Sequence, residues 1–294
     1  MKIAVLGAAG QLGRDLCPRL ETFGEVVPLS RTDMDLANPE SVAPVVEAVR
    51  PDVFVNCAAY NLVDKAEAEP GGARAVNAKG VEALAAACAR GWTKLVHFST
   101  DYVFGAEPSR TAPYTETDAP GPVSVYGESK LLGEQSALAA SANNLVIRTC
   151  GLYGVWGSGG KGGNFVETML RVAGQGKPLR VVADQHCTPS YTADIAAATV
   201  ALIGRGAGGL FHVVNDGSCT WYEFAAEIFR QSGLTPGLTP ITSAEFGAAA
   251  KRPPYSVLST AKLVAHDVPA PRPWRDALAA YLTERRNRPA AVSG

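Results

Sequence analysis

The chain has 294 residues, 47% hydrophobic and 19% charged, the balance of a globular protein rather than a disordered one. A chain of this length buries roughly three-quarters of its unfolded surface, so a metal or disulfide scaffold is not needed to hold it together. The formal net charge of -1 argues against a nucleic-acid partner, because proteins that follow phosphates concentrate Lys and Arg. The six cysteines contain no CxxC pair, and the four histidines are scattered without ligand spacing, so no metal site is expected. No run reaches the ~18 apolar residues that span a bilayer, and the first residues lack a leader pattern. The expected setting is the cytoplasm, away from membranes, with reduced thiols.

In chain order, Lys2–Leu6, Glu25–Leu29, Asp52–Asn56, Lys94–Ser99 and Asn144–Arg148 read as buried strands. Between them Gln11–Phe23, Pro39–Val49, Asp64–Ala89 and Val125–Ser141 have helical period. This alternation predicts an α/β fold, a doubly wound parallel sheet covered on both faces. Val155–Gly163 is glycine-rich and reads as a mobile loop. Helices follow over Asn164–Ala173, Asp194–Ile203, Trp221–Gln231 and Trp274–Arg286, with a last strand at Gly209–Val214. The predicted division is a dinucleotide-binding unit over 1–150, to which 183–215 returns. A smaller C-terminal substrate lobe comprises 151–182 and 216–286, and a disordered tail covers 287–294.

Gly7, Gly10, Gln11, Leu12 and Gly13 follow the first strand and open the first helix. Glycines there allow a tight turn and let backbone N–H groups approach a pyrophosphate at the positive helix end. The spacing is GxxGxxG rather than GxGxxG. The second strand ends Leu29-Ser30-Arg31, where an acidic residue would bind the ribose hydroxyl of NAD. A hydroxyl and a guanidinium suit a 2′-phosphate instead, so NADPH is the expected cofactor. Asp33 close by keeps NADH as an alternative. Asp35 and Leu36 fall near the adenine ring, and Ala58 and Ala59 are small enough for a cofactor to pass.

Tyr126 and Lys130 lie four apart on one helical face, after a strand that ends Ser99-Thr100-Asp101. Reduction of a ketone needs a hydride from one side and a proton for the forming alkoxide. Tyrosine can give that proton if a neighbouring ammonium lowers its pKa, the role expected of Lys130. Thr100 is placed to hold the carbonyl in line. Trp221, Tyr222 and Phe224 read as core of the lobe rather than a stacking platform.

Several runs carry a specific resemblance: Gly7 to Gly13 as GxxGQLG, Asn56-Cys57-Ala58-Ala59-Tyr60, Val63-Asp64-Lys65-Ala66-Glu67 and Ser99-Thr100-Asp101-Tyr102-Val103-Phe104. Further runs are Tyr126-Gly127-x-x-Lys130, Asn164-Phe165, Val182-Ala183-Asp184-Gln185, Trp221-Tyr222-Glu223-Phe224 and Arg252-Pro253-x-x-Ser256-x-Leu258. In this order, over nearly the whole chain, they resemble the dTDP-4-dehydrorhamnose reductase family of extended short-chain dehydrogenases. The resemblance implies reduction of the C4 ketone of a dTDP-6-deoxy-4-keto-hexose with NADPH or NADH. It implies Thr100, Tyr126 and Lys130 as catalytic, and Val63, Thr100, Asp101, Tyr102 and Tyr126 at the sugar. Tyr60, Tyr126 and Lys130 join the cofactor-binding set, and a homodimer is the implied assembly. Related dehydratases place a Glu where Tyr102 stands, so dehydration loses its acid/base group.

Two departures are visible. The family often has Arg-Thr-Ser-Trp after its fifth strand, its tryptophan lining the sugar pocket, where this chain has Arg148-Thr149-Cys150-Gly151. Trp156 is the candidate to fill the wider pocket. Cys187 replaces a usual glycine. Two alternatives stand beside the reductase: a non-catalytic dinucleotide-binding regulator like the regulatory subunit of methionine adenosyltransferase, and a reductase or epimerase of another nucleotide-sugar.

Overall fold

The computed structural model describes residues 1–156 and 163–288. The strands are β1 (Lys2–Leu6), β2 (Glu25–Leu29), β3 (Val53–Asn56), β4 (Lys94–Thr100), β5 (Leu145–Thr149), β6 (Leu152–Tyr153), β7 (Leu179–Val182), β8 (His186–Cys187), β9 (Ser190–Tyr191), β10 (Gly209–His212), β11 (Cys219–Thr220) and β12 (Leu238–Ile241). The helices are α1 (Gln11–Leu20), α2 (Val42–Val49), α3 (Val63–Ala68), α4 (Pro70–Arg74), α5 (Gly80–Arg90), α6 (Val125–Ala140), α7 (Phe165–Gly174), α8 (Thr192–Gly204), α9 (Trp221–Ser232), α10 (Ser243–Phe246), α11 (Ala261–Ala265) and α12 (Trp274–Asn287).

Six strands form one parallel sheet in the order β10-β5-β4-β3-β1-β2. The period of two along each strand divides the core. Ile3 and Val5 face one side with Leu12 and Leu16 of α1 and Ile195 and Leu202 of α8. Ala4 and Leu6 face the other with Val42 and Val46 of α2, Leu84 of α5 and Ala137 of α6. The strand order reverses between β1 and β3, which opens a crevice beyond their carboxyl ends. A third cluster, including Tyr153, Phe224, Trp274 and Tyr281, knits α9 and α12 together over that crevice's C-terminal wall.

The structure corrects several boundaries. The stretch 64–89 is not one helix: Glu69 has non-helical backbone (φ −128, ψ 65) before Pro70, which disfavours the helical region for its predecessor. A π turn over Ala75–Lys79 then joins α4 to α5. α1 ends at Leu20 and a 3-10 turn covers Glu21–Phe23. Strand β10 ends at His212, two residues before the expected end. The short strands β6 to β9, β11 and β12 were not read from the sequence, because two to four residues are too few to show a period. α12 extends through Asn287, and Arg288 donates to the Val155 carbonyl, so the expected disordered tail does not begin at 287. Residues 157–162 of the expected glycine-rich loop, and 289–294, lie outside the described residues.

Candidate active site

The glycine loop turns where β1 meets α1. Gly7 has φ +81, and a Cβ there would lie 3.1 Å from Ala58 N at the end of β3. A Cβ on Gly13 would lie 2.3 Å from Gly7 O, so α1 can start this close to the turn only with glycine. No side-chain hydrogen bond caps α1, and its first residues line the crevice. Gly7, Gly10, Gln11, Leu12 and Gly13 line a cleft of about 440 Å³ together with Val63, Thr100, Asp101, Tyr102, Tyr126 and Lys130. An adjoining hollow of about 340 Å³ is lined by Arg31, Asp35, Leu36, Ala58, Ala59 and Tyr60. Ser30 lines neither: its hydroxyl donates to Asp33 Oδ2 at 2.6 Å, and the same oxygen accepts Ser30 N–H at 2.7 Å. Arg31 is 81% exposed and reaches Asp35 at 3.2 Å.

Helix α6 brings the pair from the other side. Ser124 caps it by accepting from Gly127 N at 3.1 Å, and Val125 N–H donates to Glu67 Oε1 at 2.9 Å. A Cβ on Gly127 would strike Tyr102 O at 2.2 Å. Glycine there lets α6 press on the 3-10 turn Asp101–Val103, and Tyr126 meets Tyr102 edge to face at 5.7 Å. Lys130 Nζ donates to the Phe98 carbonyl at 2.6 Å and lies 3.4 Å from His97 Nε2.

Desolvation sets the titration of both groups. Burial lowers the Lys130 ammonium to about 8, although Glu134 one turn on favours its charge. Burial also pushes the Tyr126 phenol up to about 12, opposed by a hydrogen bond with Thr100 and reinforced by Asp101 and Cys150. The expected lowering of the phenol by Lys130 is therefore not met by the protein's own groups. Desolvation is the largest influence on the phenol, and the amine is engaged by Phe98 and His97.

Behind Thr100 lies a buried carboxylate. Asp101 accepts from Thr100 Oγ1 at 3.1 Å, Cys150 Sγ at 3.0 Å and Ser256 Oγ at 2.6 Å. Burial raises its pKa, against these three bonds. Thr100 Oγ1 in turn accepts from Tyr102 N at 3.2 Å. Cys187 packs with Cys150, Val103 and Phe104 in one cluster, so the two departures from the family pattern meet at the cleft wall.

Sequence reasoning missed the aromatic side of the cleft. Trp221 and Phe165 line it, their rings 4.8 Å apart, so Trp221 is a wall residue as well as a core one. Its indole stands 3.1 Å from where a Cβ on Gly151 would begin. Trp156 does not fill this space. It donates to Asp15 Oδ1 at 3.0 Å, with the guanidinium groups of Arg14 and Arg288 over its ring. Cys150-Gly151 pointed to this wall, but it could not say which aromatic would approach. Asp184 is occupied by Ser243 N and Oγ, and Glu223 by the cap of α9. Among the described residues no group of three or more His, Cys, Asp or Glu is placed to hold a metal ion, and no helix is long and apolar enough to cross a membrane.

The cleft fits a nicotinamide dinucleotide. The glycine cradle would be filled by a Cβ, and the buried Gln11 Oε1, Ser99 Oγ, Thr149 Oγ1 and Tyr60 OH have no protein partner. Such groups are satisfied by a ligand or water.

The sequence pattern of the RmlD substrate binding domain family matches residues 1–287. The spore coat polysaccharide biosynthesis protein SpsK of Bacillus subtilis (strain 168) is 41% identical over 97% of this chain and 98% of its own. A dTDP-4-dehydrorhamnose reductase of Burkholderia thailandensis is 40% identical over 90% and 92%. Among solved structures, the dTDP-4-dehydrorhamnose reductase of Bacillus anthracis in complex with NADP superposes with TM-score 0.89 at 36% identity, covering 96% of this chain and 99% of that one. Fold, glycine cradle and full-length similarity agree, and the chain belongs to the RmlD substrate binding domain family, that of the dTDP-4-dehydrorhamnose reductases.

Proposed function

We propose that this chain is an NADPH-dependent reductase of the C4 ketone of a dTDP-6-deoxy-4-keto-hexose, dTDP-4-dehydrorhamnose or a close relative. The observation that carries the reading is the convergence of Thr100, Tyr126 and Lys130 on the wall of one cleft with the glycine loop. The NADP-bound relative supports the cofactor, and the reductase relative supports the substrate class.

Gly7, Gly10, Gln11, Leu12 and Gly13 would seat the pyrophosphate at the helix end. Arg31 would pair with the 2′-phosphate, and Asp35, Leu36, Ala58, Ala59 and Tyr60 would enclose the adenine half. Ser30 would join them only by releasing Asp33. Bound NADPH supplies the hydride. Thr100 would hold the sugar carbonyl, and Tyr126 would give its phenolic proton to the oxygen that gains charge. A phenol held near 12 is a poor spontaneous acid, so the proton leaves only toward an alkoxide, which is more basic still. Val63, Asp101 and Tyr102 would border the sugar, with Asp101 acting through the threonine it accepts from. Residues 1–150 with 183–215 would serve the cofactor, and 151–182 with 216–286 the sugar. The six free thiols accord with the reducing cytoplasm as the place of action.

The test is loss of NADPH fluorescence on adding dTDP-4-keto-6-deoxyglucose with its 3,5-epimerase, compared for native protein and Tyr126→Phe. Oxidation by the native protein alone supports the reductase. Tight NADPH binding without turnover on this or related nucleotide-sugars would establish the binding-only regulator instead.

A further inference from the structure

Behind Lys130, on the side away from the cleft, two polar residues lie fully buried in the sheet and take no part in the chemistry above. His97 of β4 is 0% exposed and Asn56 of β3 is 1% exposed. They form a line: Asn56 Nδ2 lies 3.2 Å from His97 Nδ1, and His97 Nε2 lies 3.4 Å from Lys130 Nζ. The proton positions along this line follow from donor and acceptor chemistry. The Asn56 carbonyl oxygen accepts Ala58 N–H at 3.0 Å, so the amide cannot turn over without setting its NH₂ group against another donor. Its nitrogen therefore faces Nδ1. An amide nitrogen only donates, so Nδ1 must be the acceptor, and a neutral imidazole then carries its hydrogen on Nε2.

We propose that His97, held by Asn56 as the Nε2–H tautomer, is a positioning residue that presents an N–H to the Lys130 amine and makes the buried ammonium a readier proton donor. The inference rests on the reductase reading for its consequence, but not for the tautomer itself. An ammonium has three donors and no acceptor, so two donors oppose each other across this contact, whereas a neutral amine can accept the imidazole N–H. The proton balance is simple. When Tyr126 has passed its proton to the sugar oxygen, an N–H bond of Lys130 breaks, the phenol re-forms, and solvent later returns a proton to the amine. No other reactant is required.

The surroundings agree. Burial and the neighbouring Lys130 hold His97 well below its ordinary value, so the ring stays neutral. The charge that acts on Lys130 is Glu134 on the same helix, which is paired with Arg148 of β5; Glu67 of α3 holds the helix start and Asp101 acts on Tyr126. Burial opposes the ammonium and Glu134, itself paired with Arg148, favours it, while the imidazole is the polar contact at 3.4 Å that meets the amine inside the sheet.

The tautomer is read without turnover, by ¹⁵N-labelled histidine NMR of the native protein, with the His97 signals identified by their loss in His97→Gln. The expected spectrum shows a protonated Nε2 and a bare Nδ1, unchanged from pH 6 to pH 9. A proton on Nδ1, or an imidazolium at pH 6, would overturn the proposal whatever the activity. Asn56→Asp keeps an acceptor for Ala58 N–H but reverses the other contact, since a carboxylate oxygen must take a hydrogen from Nδ1. It should move the proton to Nδ1, turn the Nε2 lone pair toward Lys130, and raise the basic limb of the kcat profile by about one pH unit or more. A reversed tautomer with an unmoved limb would overturn the role assigned to His97. If the aspartate variant does not fold, the native spectrum still decides the tautomer.

Discussion

Gly13→Ala tests the cofactor cradle most directly. The new Cβ would lie 2.3 Å from Gly7 O and 2.7 Å from Ala8 Cα, both backbone atoms that cannot rotate away. Reaching ordinary contact requires the turn and the start of α1 to separate by about 1 Å. That shift is enough to remove one N–H from a phosphate oxygen, and a charge-assisted hydrogen bond is worth about 1.5–3 kcal/mol. The Kd for NADPH should therefore rise about 10- to 150-fold. Overpacking at the same point should lower folding stability by about 1–3 kcal/mol. Calorimetric titration with NADPH measures the first effect, and urea unfolding the second. A variant that folds with native secondary structure and binds NADPH within about threefold of the native Kd would refute the reasoning, because the helix start would then not be the phosphate seat.

Four further outcomes follow from the site. Tyr126→Phe should lower kcat about 10²- to 10⁴-fold while NADPH affinity, measured by titration, stays close to native. Arg31→Ala should lower the preference for NADPH over NADH about tenfold, with the loss shrinking at high salt because the guanidinium is exposed. Glu134→Gln leaves the Arg148 guanidinium without its carboxylate where both side chains are 3% exposed, which should cost about 3–5 kcal/mol and lower Tm by on the order of 10 °C. Lys130 in the folded protein loses its proton near pH 8, below its unfolded value of about 10.5. Between those values the unfolded chain binds more protons, so this group's contribution to stability rises with pH across that window. Comparing urea unfolding of native protein and Lys130→Met at pH 7.5 and pH 10 should show the native protein gaining up to about 3 kcal/mol relative to the variant.

Much of this molecule can be read locally. The inner strands β1, β3, β4 and β5 are buried runs rich in apolar residues because both faces are covered, and a run of that kind is visible in a one-dimensional sequence. The glycine loop, the Tyr126–Lys130 pair and Thr100 are likewise short-range patterns whose residues lie within one turn or one strand end. Their placement after strands was enough to put them on one cleft, and they line it. The break at Glu69 was legible too, since Pro70 announces it, yet the apolar period on either side ran on and hid it.

Tertiary structure alone decided the rest, for a common reason: the answer depended on residues distant in the chain. The direction of the Tyr126 pKa follows from desolvation in the cleft wall, which no local pattern reports. Which tryptophan faces Gly151 was settled by where α9 docks, and Trp221 rather than Trp156 stands there. Ser30 sat at the right place in the sequence, but a carboxylate three residues on holds its hydroxyl. Cys150 and Cys187 are far apart in the chain and share one buried cluster, while Asn56, His97 and Lys130 come from three different elements and form one line. Local spacing determines which chemical groups the chain can present, whereas their desolvation and hydrogen-bond partners exist only once the sheet has brought its strands together.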